Sequence, residues 1–332
     1  MTICRRGFLR AAAGAAGAGI ATSAVRYAAA ETFPVRPVRV IVPFAPGGPG
    51  DVFGRLMAEK LSERFGQQFY IENLVGAGGN IGTGRAAKAA ADGYTLLLTA
   101  NNHIINPLLY DTVPYDPFKD FDPVSLAVGF PTALSVSQSV SARSVAELVA
   151  LIRATPGKFS FASAGFGTPS HLLGERFRQE LSLDLVHVPY NGSGPATAAV
   201  LAGDTPVCFA GLTAAAPLAQ AGQLRVLATM SSIRSHALPE VPTIIEAGYP
   251  GLEGDGWDGV FVPAGTPREI VTLLSDEIRK IVAQPDMVER LEAQGFSPVG
   301  APPDVFAKKL VAESETWRQV IGAAGLKAPS KI

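Results

Sequence analysis

Short apolar runs rich in β-branched residues alternate with helical patterns over most of the chain. In the first part, residues 38–44, 69–72 and 94–99 are predicted strands. The first two strands end in glycine-rich turns, residues 45–51 and 76–80, and each turn opens a predicted helix. Strands that alternate with helices in this way indicate βαβ units built around parallel sheets.

The same scheme starts again near residue 132. The predicted strands of this second part are residues 132–137, 159–162, 185–188, 207–210 and 224–229. Two further glycine-rich turns, residues 163–169 and 190–195, follow strands. A proline after Thr168 marks a helix start in the first of these turns, and a proline after Gly194 marks one in the second. One more strand at 257–262 and three helical patterns end the chain. We expect these last elements to return to the first sheet, because one sheet holding every strand would be unusually large.

This organisation predicts an α/β fold of two doubly wound domains. We expect residues 31–130 and 253–332 to form a discontinuous domain 1 and residues 131–252 to form domain 2. Two crossovers, near residues 127–131 and 248–256, would form a hinge. The chain has 332 residues, 47% of them hydrophobic, which is enough to bury two cores.

The first thirty residues differ from the rest. Arg5, Arg6 and Arg10 precede a stretch without charge, residues 11–25, and three alanines at 28–30 offer a cleavage site. We interpret residues 1–30 as a cleaved export signal, because the stretch is too short and too weakly apolar to span a membrane. Its start is similar to a twin-arginine signal, although Cys4 stands where that signal usually has Ser or Thr; general secretion and a retained amphipathic helix are the alternatives.

Charge and cysteine content narrow the choice of partners. Without residues 1–30 the chain keeps 24 basic and 29 acidic residues, a net charge of −5, which disfavours nucleic acid. Cys208, in an apolar run, is the one cysteine left and is predicted to be a core residue. The four histidines lack zinc-site spacing, so we predict no metal. No cofactor is predicted either, because Ile81 stands where a dinucleotide fingerprint needs glycine.

The four glycine-rich turns carry the predicted chemistry. Where a strand gives way to a helix, the first helical N–H groups lack internal partners and favour anions. The carboxyl ends of strands are where open α/β sheets bind ligands, so several helix starts would hold one carboxylate in a shared cleft. Alternatively, each is an ordinary tight turn. Asp51 either caps its own helix or contacts a ligand, Asp204 is equally ambiguous, and Tyr190 either covers the ligand or packs.

Several motifs together resemble one known family. They are PFAPGGPGD at 43–51, GAGGNIG at 76–82, DGYTL at 92–96, YNGSGP at 190–195, VPT at 241–243 and PAGTP at 263–267. This set resembles the Bug family, the TctC-like substrate-binding proteins of tripartite tricarboxylate transporters. The resemblance implies a type II periplasmic binding protein of the Venus-flytrap kind, which captures a small organic carboxylate between its domains and passes it to integral membrane subunits. We expect a monomer in the periplasm.

The resemblance also implies ligand contacts from both domains, made largely by backbone amides. The implied contacts are Phe44, Gly47, Gly48, Asp51, Gly79, Asn80, Thr99, Asn102, Ser163, Gly165, Gly167, Thr168, Tyr190, Asn191, Gly192 and Asp204. Family members frequently have lysine at the position of Asn191, so the charge or size of the preferred ligand is open.

Binding without chemistry is the leading interpretation, because the chain has neither a P-loop nor a G-x-S-x-G nucleophile elbow. One alternative is a sensor subunit that presents its closed form to a membrane kinase. Another is a periplasmic hydrolase or lyase that uses Asp51, His171 or Asp204 as acid and base.

Overall fold

A computed structural model of the chain describes residues 33–324 and 326–328. The predicted export signal lies outside these residues, and every element below belongs to one compact unit, Arg36–Ile332. The strands are β1 (Val38–Val42), β2 (Phe69–Asn73), β3 (Thr95–Thr99), β4 (Phe121–Ser137), β5 (Phe159–Ser163), β6 (Leu185–Pro189), β7 (Val207–Gly211), β8 (Leu224–Thr229), β9 (Asp255–Pro263) and β10 (Ser297–Ala301). The helices are α1 (Pro49–Phe65), α2 (Asn80–Ala87), α3 (Asn102–Leu109), α4 (Val145–Ala154), α5 (Pro169–Glu180), α6 (Ser193–Ala202), α7 (Leu212–Gln220), α8 (Arg268–Val282), α9 (Pro285–Ala293) and α10 (Pro303–Ala324).

The first sheet has the strand order β2-β1-β3-β9-β4-β10. Strand β1 pairs in parallel with β2 and β3, which confirms the predicted βαβ units. Strand β9 pairs antiparallel with both β3 and β4, and β10 pairs antiparallel with β4. The predicted βαβ units therefore belong to mixed sheets, because β9 and β10 run antiparallel to their neighbours.

The second sheet has the order β8-β4-β7-β5-β6. It shares β4 with the first sheet: residues 121–131 pair with β9, whereas residues 132–137 pair with β7 and β8. The sequence predicted only the second part of this strand. Pro123 and Pro131 argue against a strand before residue 132, but a register shift after Pro123 accommodates one of them.

The last part of the chain forms the three predicted helices, α8 to α10, and one strand that was not predicted. Strand β10, with the sequence SPVGA, carries both proline and glycine and has no apolar alternation. None of the helices in residues 33–324 is both long and apolar enough to span a bilayer.

Each sheet packs its own aromatic core. Phe161, Phe177 and Phe209 are fully buried around the second sheet, and Phe261 and Phe306 are fully buried around the first. Cys208 is buried in a small cluster, where burial raises the pKa of its thiol to about 12, so its prediction as a core residue is confirmed. These cores fix the strand ends from which the glycine-rich turns emerge.

Candidate binding pocket

The first and fourth glycine-rich turns, which leave different sheets, touch through their backbones. The N–H of Ala45 donates to the carbonyl oxygen of Asn191 over 2.8 Å. A Cβ atom at Gly194 would lie 2.5 Å from the carbonyl oxygen of Pro46, a distance that real Cβ atoms essentially never show. Glycine is therefore required here for the two turns to approach this closely.

The second and third turns meet in the same way. At Gly78 a Cβ atom would collide with the carbonyl oxygen of Phe166. The carbonyl oxygen of Gly78 accepts hydrogen bonds from the side-chain amides of Asn106 and Asn102, at 2.9 and 3.3 Å. These amides hold the second turn against α3.

A pocket lies where α1, α5, α6 and α7 begin, so helix N-termini from both sheets surround it. The pocket is partly open to solvent. Its lining comprises Phe44, Gly48, Pro49, Gly50, Asp51, Ala100, Asn102, Phe130, Thr132, Ala164, Thr168, Pro169, Ser170, Ser193, Gly211 and Asp258. Lys, Arg and His do not occur in this set of described residues.

A smaller space shares Phe44 and Ala164 with the pocket. The turn before α2 lines one side of it through Gly76, Gly78 and Gly79, and Tyr190 and Asn191 line the other. The second turn therefore borders this smaller space rather than the larger pocket.

Eight of the sixteen predicted contact residues line one of these two spaces. They are Phe44, Gly48, Asp51, Gly79, Asn102, Thr168, Tyr190 and Asn191. Four more, Gly47, Gly165, Gly167 and Gly192, belong to the turns around the pocket but do not line it, and each has a positive φ.

Three predicted contacts lie behind the turns. The Asn80 side-chain oxygen accepts from Asn106, and the Thr99 hydroxyl donates to Asn102. Ser163 is fully buried and does not line either space. These three side chains are engaged in holding other parts of the site.

Asp204 is the predicted contact that the fold carries away from the pocket. It is exposed, and its N–H donates to the carbonyl oxygen of Ala199, near the C-terminal end of α6. The pocket is at the other end of this helix, near Ser193. Neither the pocket nor the smaller space includes Asp204 in its lining.

Asp51, in the first turn of α1, is buried and fully engaged by neighbouring donors. It accepts hydrogen bonds from the Gly47 N–H at 3.1 Å, from Arg55 at 2.8 and 3.1 Å, and from Asn73 at 3.1 Å. Burial raises the pKa of this carboxyl, but the bonds from Arg55, Gly47 and Asn73 outweigh it and lower the pKa. Asp51 is therefore ionised and fixes the first turn through the N–H of Gly47, which precedes α1, rather than through an N–H of the helix itself.

Asp258 on β9 is a pocket residue that the sequence analysis missed. Its side chain is 2% exposed, and its Oδ2 atom has no hydrogen-bond partner in the structure. Burial raises its pKa to about 8. The available signal was one carboxylate between apolar residues in a predicted buried strand, after Trp257 and before Val260.

Trp257 itself packs inside the protein. Its ring lies 5.2 Å from that of Phe306, and its indole N–H donates to Glu313 on α10.

Two neutral histidines support the third turn from behind. The rings of His171 and His187 lie 4.2 Å apart, and burial lowers the pKa of His187 to about 4 and that of His171 well below its usual value. His171 Nδ1 accepts from the Gly167 N–H, and His187 Nε2 is 2.6 Å from the Ser163 hydroxyl. Within the described residues, no carboxylate hydrogen-bonds to either ring, so the group is not arranged as a catalytic triad.

Comparison with known proteins places the chain in a family. Residues 53–326 match the model of a family described as the tripartite tricarboxylate transporter family receptor. A UPF0065 protein from the tcbD-tcbE intergenic region of Pseudomonas sp. (strain P51) is 41% identical over 309 residues, 92% of each chain.

Two solved structures are similar over nearly the same span. The R. palustris protein Rpa4515 with adipate has 36% identity and a TM-score of 0.86. The periplasmic binding protein BugD has 32% identity and a TM-score of 0.85. In both cases the match covers 89% of this chain and 99% of the other. The chain therefore belongs to the tripartite tricarboxylate transporter receptor family, as its motifs predicted, and has the two-domain α/β fold of periplasmic binding proteins.

Proposed function

We propose that this periplasmic solute-binding protein captures a small organic carboxylate in the pocket where α1, α5, α6 and α7 begin, and delivers it to the membrane subunits of a tripartite transporter. The observation that carries the proposal is the convergence of four helix N-termini on a pocket whose described lining has no basic side chain. Each helix start carries about +0.5 charge and contributes roughly 0.3–1 kcal/mol to anion binding, up to ~2 when partly buried. The adipate in the related R. palustris protein supports the same ligand class.

Closure of the two halves around the ligand is the second part of the proposal. The backbone contact between Ala45 and Asn191 and the close approach of Gly194 to Pro46 are features of a shut pocket. A ligand has to enter before these turns meet, so the halves separate and close again in each binding cycle. The ligand then stabilises the closed form by mass action, by about 2.7 kcal/mol at a hundredfold excess over Kd.

A thermal-shift screen of monocarboxylates, dicarboxylates, tricarboxylates, aromatic acids and acidic amino acids tests the ligand class. We expect at least one carboxylate to raise the melting temperature of the mature protein. A screen in which no carboxylate does so would contradict the proposal.

Gly194→Ala tests closure. The added Cβ meets the carbonyl oxygen of Pro46 only when the turns touch, so we expect the unliganded protein to fold and the affinity for the carboxylate to fall at least tenfold. Gly322→Ala is the matched control, since a Cβ atom there lies in open space on α10. Unchanged affinity in Gly194→Ala would show that ligand binding does not need this contact.

Delivery to a transporter is proposed from family membership. Uptake of the labelled ligand should require both this protein and the integral membrane subunits. Uptake that persists in cells lacking those subunits would favour a different partner, such as a membrane kinase.

A further inference from the structure

Asp258 stands out among the pocket residues because the described part of the chain supplies nothing that would stabilise its ionised form. Its side chain lies on β9 against Gly50, in the first turn of α1, and faces the pocket. The residue opposite it on β4 is Val128, which has no polar side chain. Its Oδ2 atom is buried without a hydrogen-bond partner.

The surroundings of Asp258 offer no cation to compensate it. The other ionisable group of the pocket lining is Asp51, also on α1, and the exposed Arg55 on the same helix is bonded to Asp51. A buried polar group without a partner destabilises the fold. The partner of Asp258 is therefore to be sought in the ligand.

The charge pattern of the pocket indicates which chemical group that partner is. Helix N-termini attract the carboxylate of the ligand, and a second carboxylate could accept one hydrogen bond from protonated Asp258 but would be repelled by its ionised form. An ammonium group instead supplies three donors and a positive charge. A ligand that carries both groups matches the helix starts with one end and Asp258 with the other.

We propose that Asp258 is a specificity-determining residue that binds the ammonium group of the ligand, so that the site takes amino-substituted carboxylates in preference to dicarboxylates of the same length. This inference rests on the proposed carboxylate-binding function and names the substrate class within it. Because burial raises the pKa of Asp258 to about 8, the empty pocket holds this carboxyl mainly protonated at pH 7. Formation of the ion pair should therefore release a proton to the buffer.

Isothermal titration of matched ligand pairs tests the proposal. The pairs are 4-aminobutanoate and succinate, 5-aminopentanoate and glutarate, 6-aminohexanoate and adipate, and 4-(aminomethyl)benzoate and terephthalate; in each pair an aminomethyl group replaces one carboxylate. In at least one pair we expect the amino acid to bind the mature protein at least tenfold more tightly than the dicarboxylate. Titration in buffers with different heats of ionisation should show proton release.

Asp258→Asn keeps the shape of the side chain and removes its charge. We expect it to weaken binding of the amino acid at least tenfold, to leave the dicarboxylate unchanged or more tightly bound, and to abolish proton release. Asp276→Asn, the same substitution at the exposed ion pair with Arg279 on α8, is the control and should change neither affinity. The melting temperature of the empty Asp258→Asn protein shows that it folds.

Three results would overturn the inference. They are a dicarboxylate that binds as tightly as its amino partner in every pair, an Asp258→Asn variant that weakens both members of a pair equally, and an amide such as adipic acid monoamide that binds more tightly than the amine. Binding of dicarboxylates alone would remove this inference and leave the proposed function in place. If no carboxylate of any kind bound, the proposed function itself would fail.

Discussion

Two aspartates line the same pocket and are buried almost equally, yet their surroundings are opposite. Asp51 is 4% exposed and Asp258 is 2% exposed. Both oxygens of Asp51 accept hydrogen bonds, from a backbone N–H, a guanidinium group and a side-chain amide. Asp258 lies on β9, and its Oδ2 atom has no hydrogen-bond donor among the described residues.

This difference shows that burial alone does not determine the role of a carboxylate. Donors around Asp51 lower its pKa despite its burial, whereas burial of Asp258 without compensation raises its pKa to about 8. Asp51 is satisfied by the protein and holds the first turn in place. The Oδ2 atom of Asp258 has no donor among the described residues, which supports the proposal that Asp258 contacts the ligand.

Asp51→Ala should have the largest effect on stability. The substitution leaves the Gly47 N–H without its acceptor, removes one of the two acceptors of the Asn73 amide and frees the first turn, so we expect a loss of about 2–3 kcal/mol in the free energy of unfolding. Urea denaturation at pH 7 measures this loss. Glu315→Ala, which removes an exposed ion pair with Arg318, is the control and should cost less than about 0.5 kcal/mol.

The dependence of this loss on pH follows from the lowered pKa. Ionised Asp51 stabilises the folded state above its usual pKa near 4, and this contribution disappears as the pH falls. The deficit of Asp51→Ala should therefore shrink in acid. A deficit no larger than that of Glu315→Ala at pH 7 would remove the contrast between the two aspartates.

Asp258→Asn should have the opposite and somewhat smaller effect. A carboxyl whose pKa is raised from 3.8 to about 8 destabilises the folded state increasingly as the pH rises through that range. We expect the variant to be more stable than the natural protein by about 1–2 kcal/mol at pH 8, since the asparagine amide is also left without a partner. Thermal denaturation between pH 4 and pH 8 measures the difference, which should vanish near pH 4.

A gain in stability together with a loss of amino-acid binding would be the mark of a residue kept for function. If the two proteins had the same stability across this pH range, Asp258 would have a donor in solution and the comparison would fail.

The parts of the fold that the sequence predicts well are those set by local signals. The βαβ units around β1 to β3 follow from apolar periodicity, and the start of α5 follows from Thr168 before Pro169; the Thr168 hydroxyl accepts from the His171 N–H. The close contact of Gly194 with Pro46 depends on the arrangement of both sheets and is not visible in either turn alone.

What the sequence did not predict depends on pairing between distant segments. The first part of β4 contains prolines and becomes a strand because β9 pairs with it. Asp258 was missed because only the pairing of β9 with β3 and β4 decides that its side chain faces the pocket unpartnered. Asp204 follows α6 by two residues, and the direction of that helix carries it away from the pocket.

Arg55→Gln should have the smallest effect and separates two explanations for the state of Asp51. The Arg55 side chain is 57% exposed, so its ion pair with Asp51 is screened by solvent and should contribute about 0.5 kcal/mol or less. The bonds from Gly47 and Asn73 remain in the variant, and we expect ligand affinity to change by less than about twofold. Urea denaturation measures stability, and an NMR titration of the Asp51 carboxyl should show its pKa moving up toward the usual value. A loss of stability as large as that of Asp51→Ala would mean that the Arg55 cation, rather than the Gly47 and Asn73 donors, stabilises the Asp51 carboxylate. Asp258 would then differ from Asp51 by a missing arginine and not by a missing hydrogen bond.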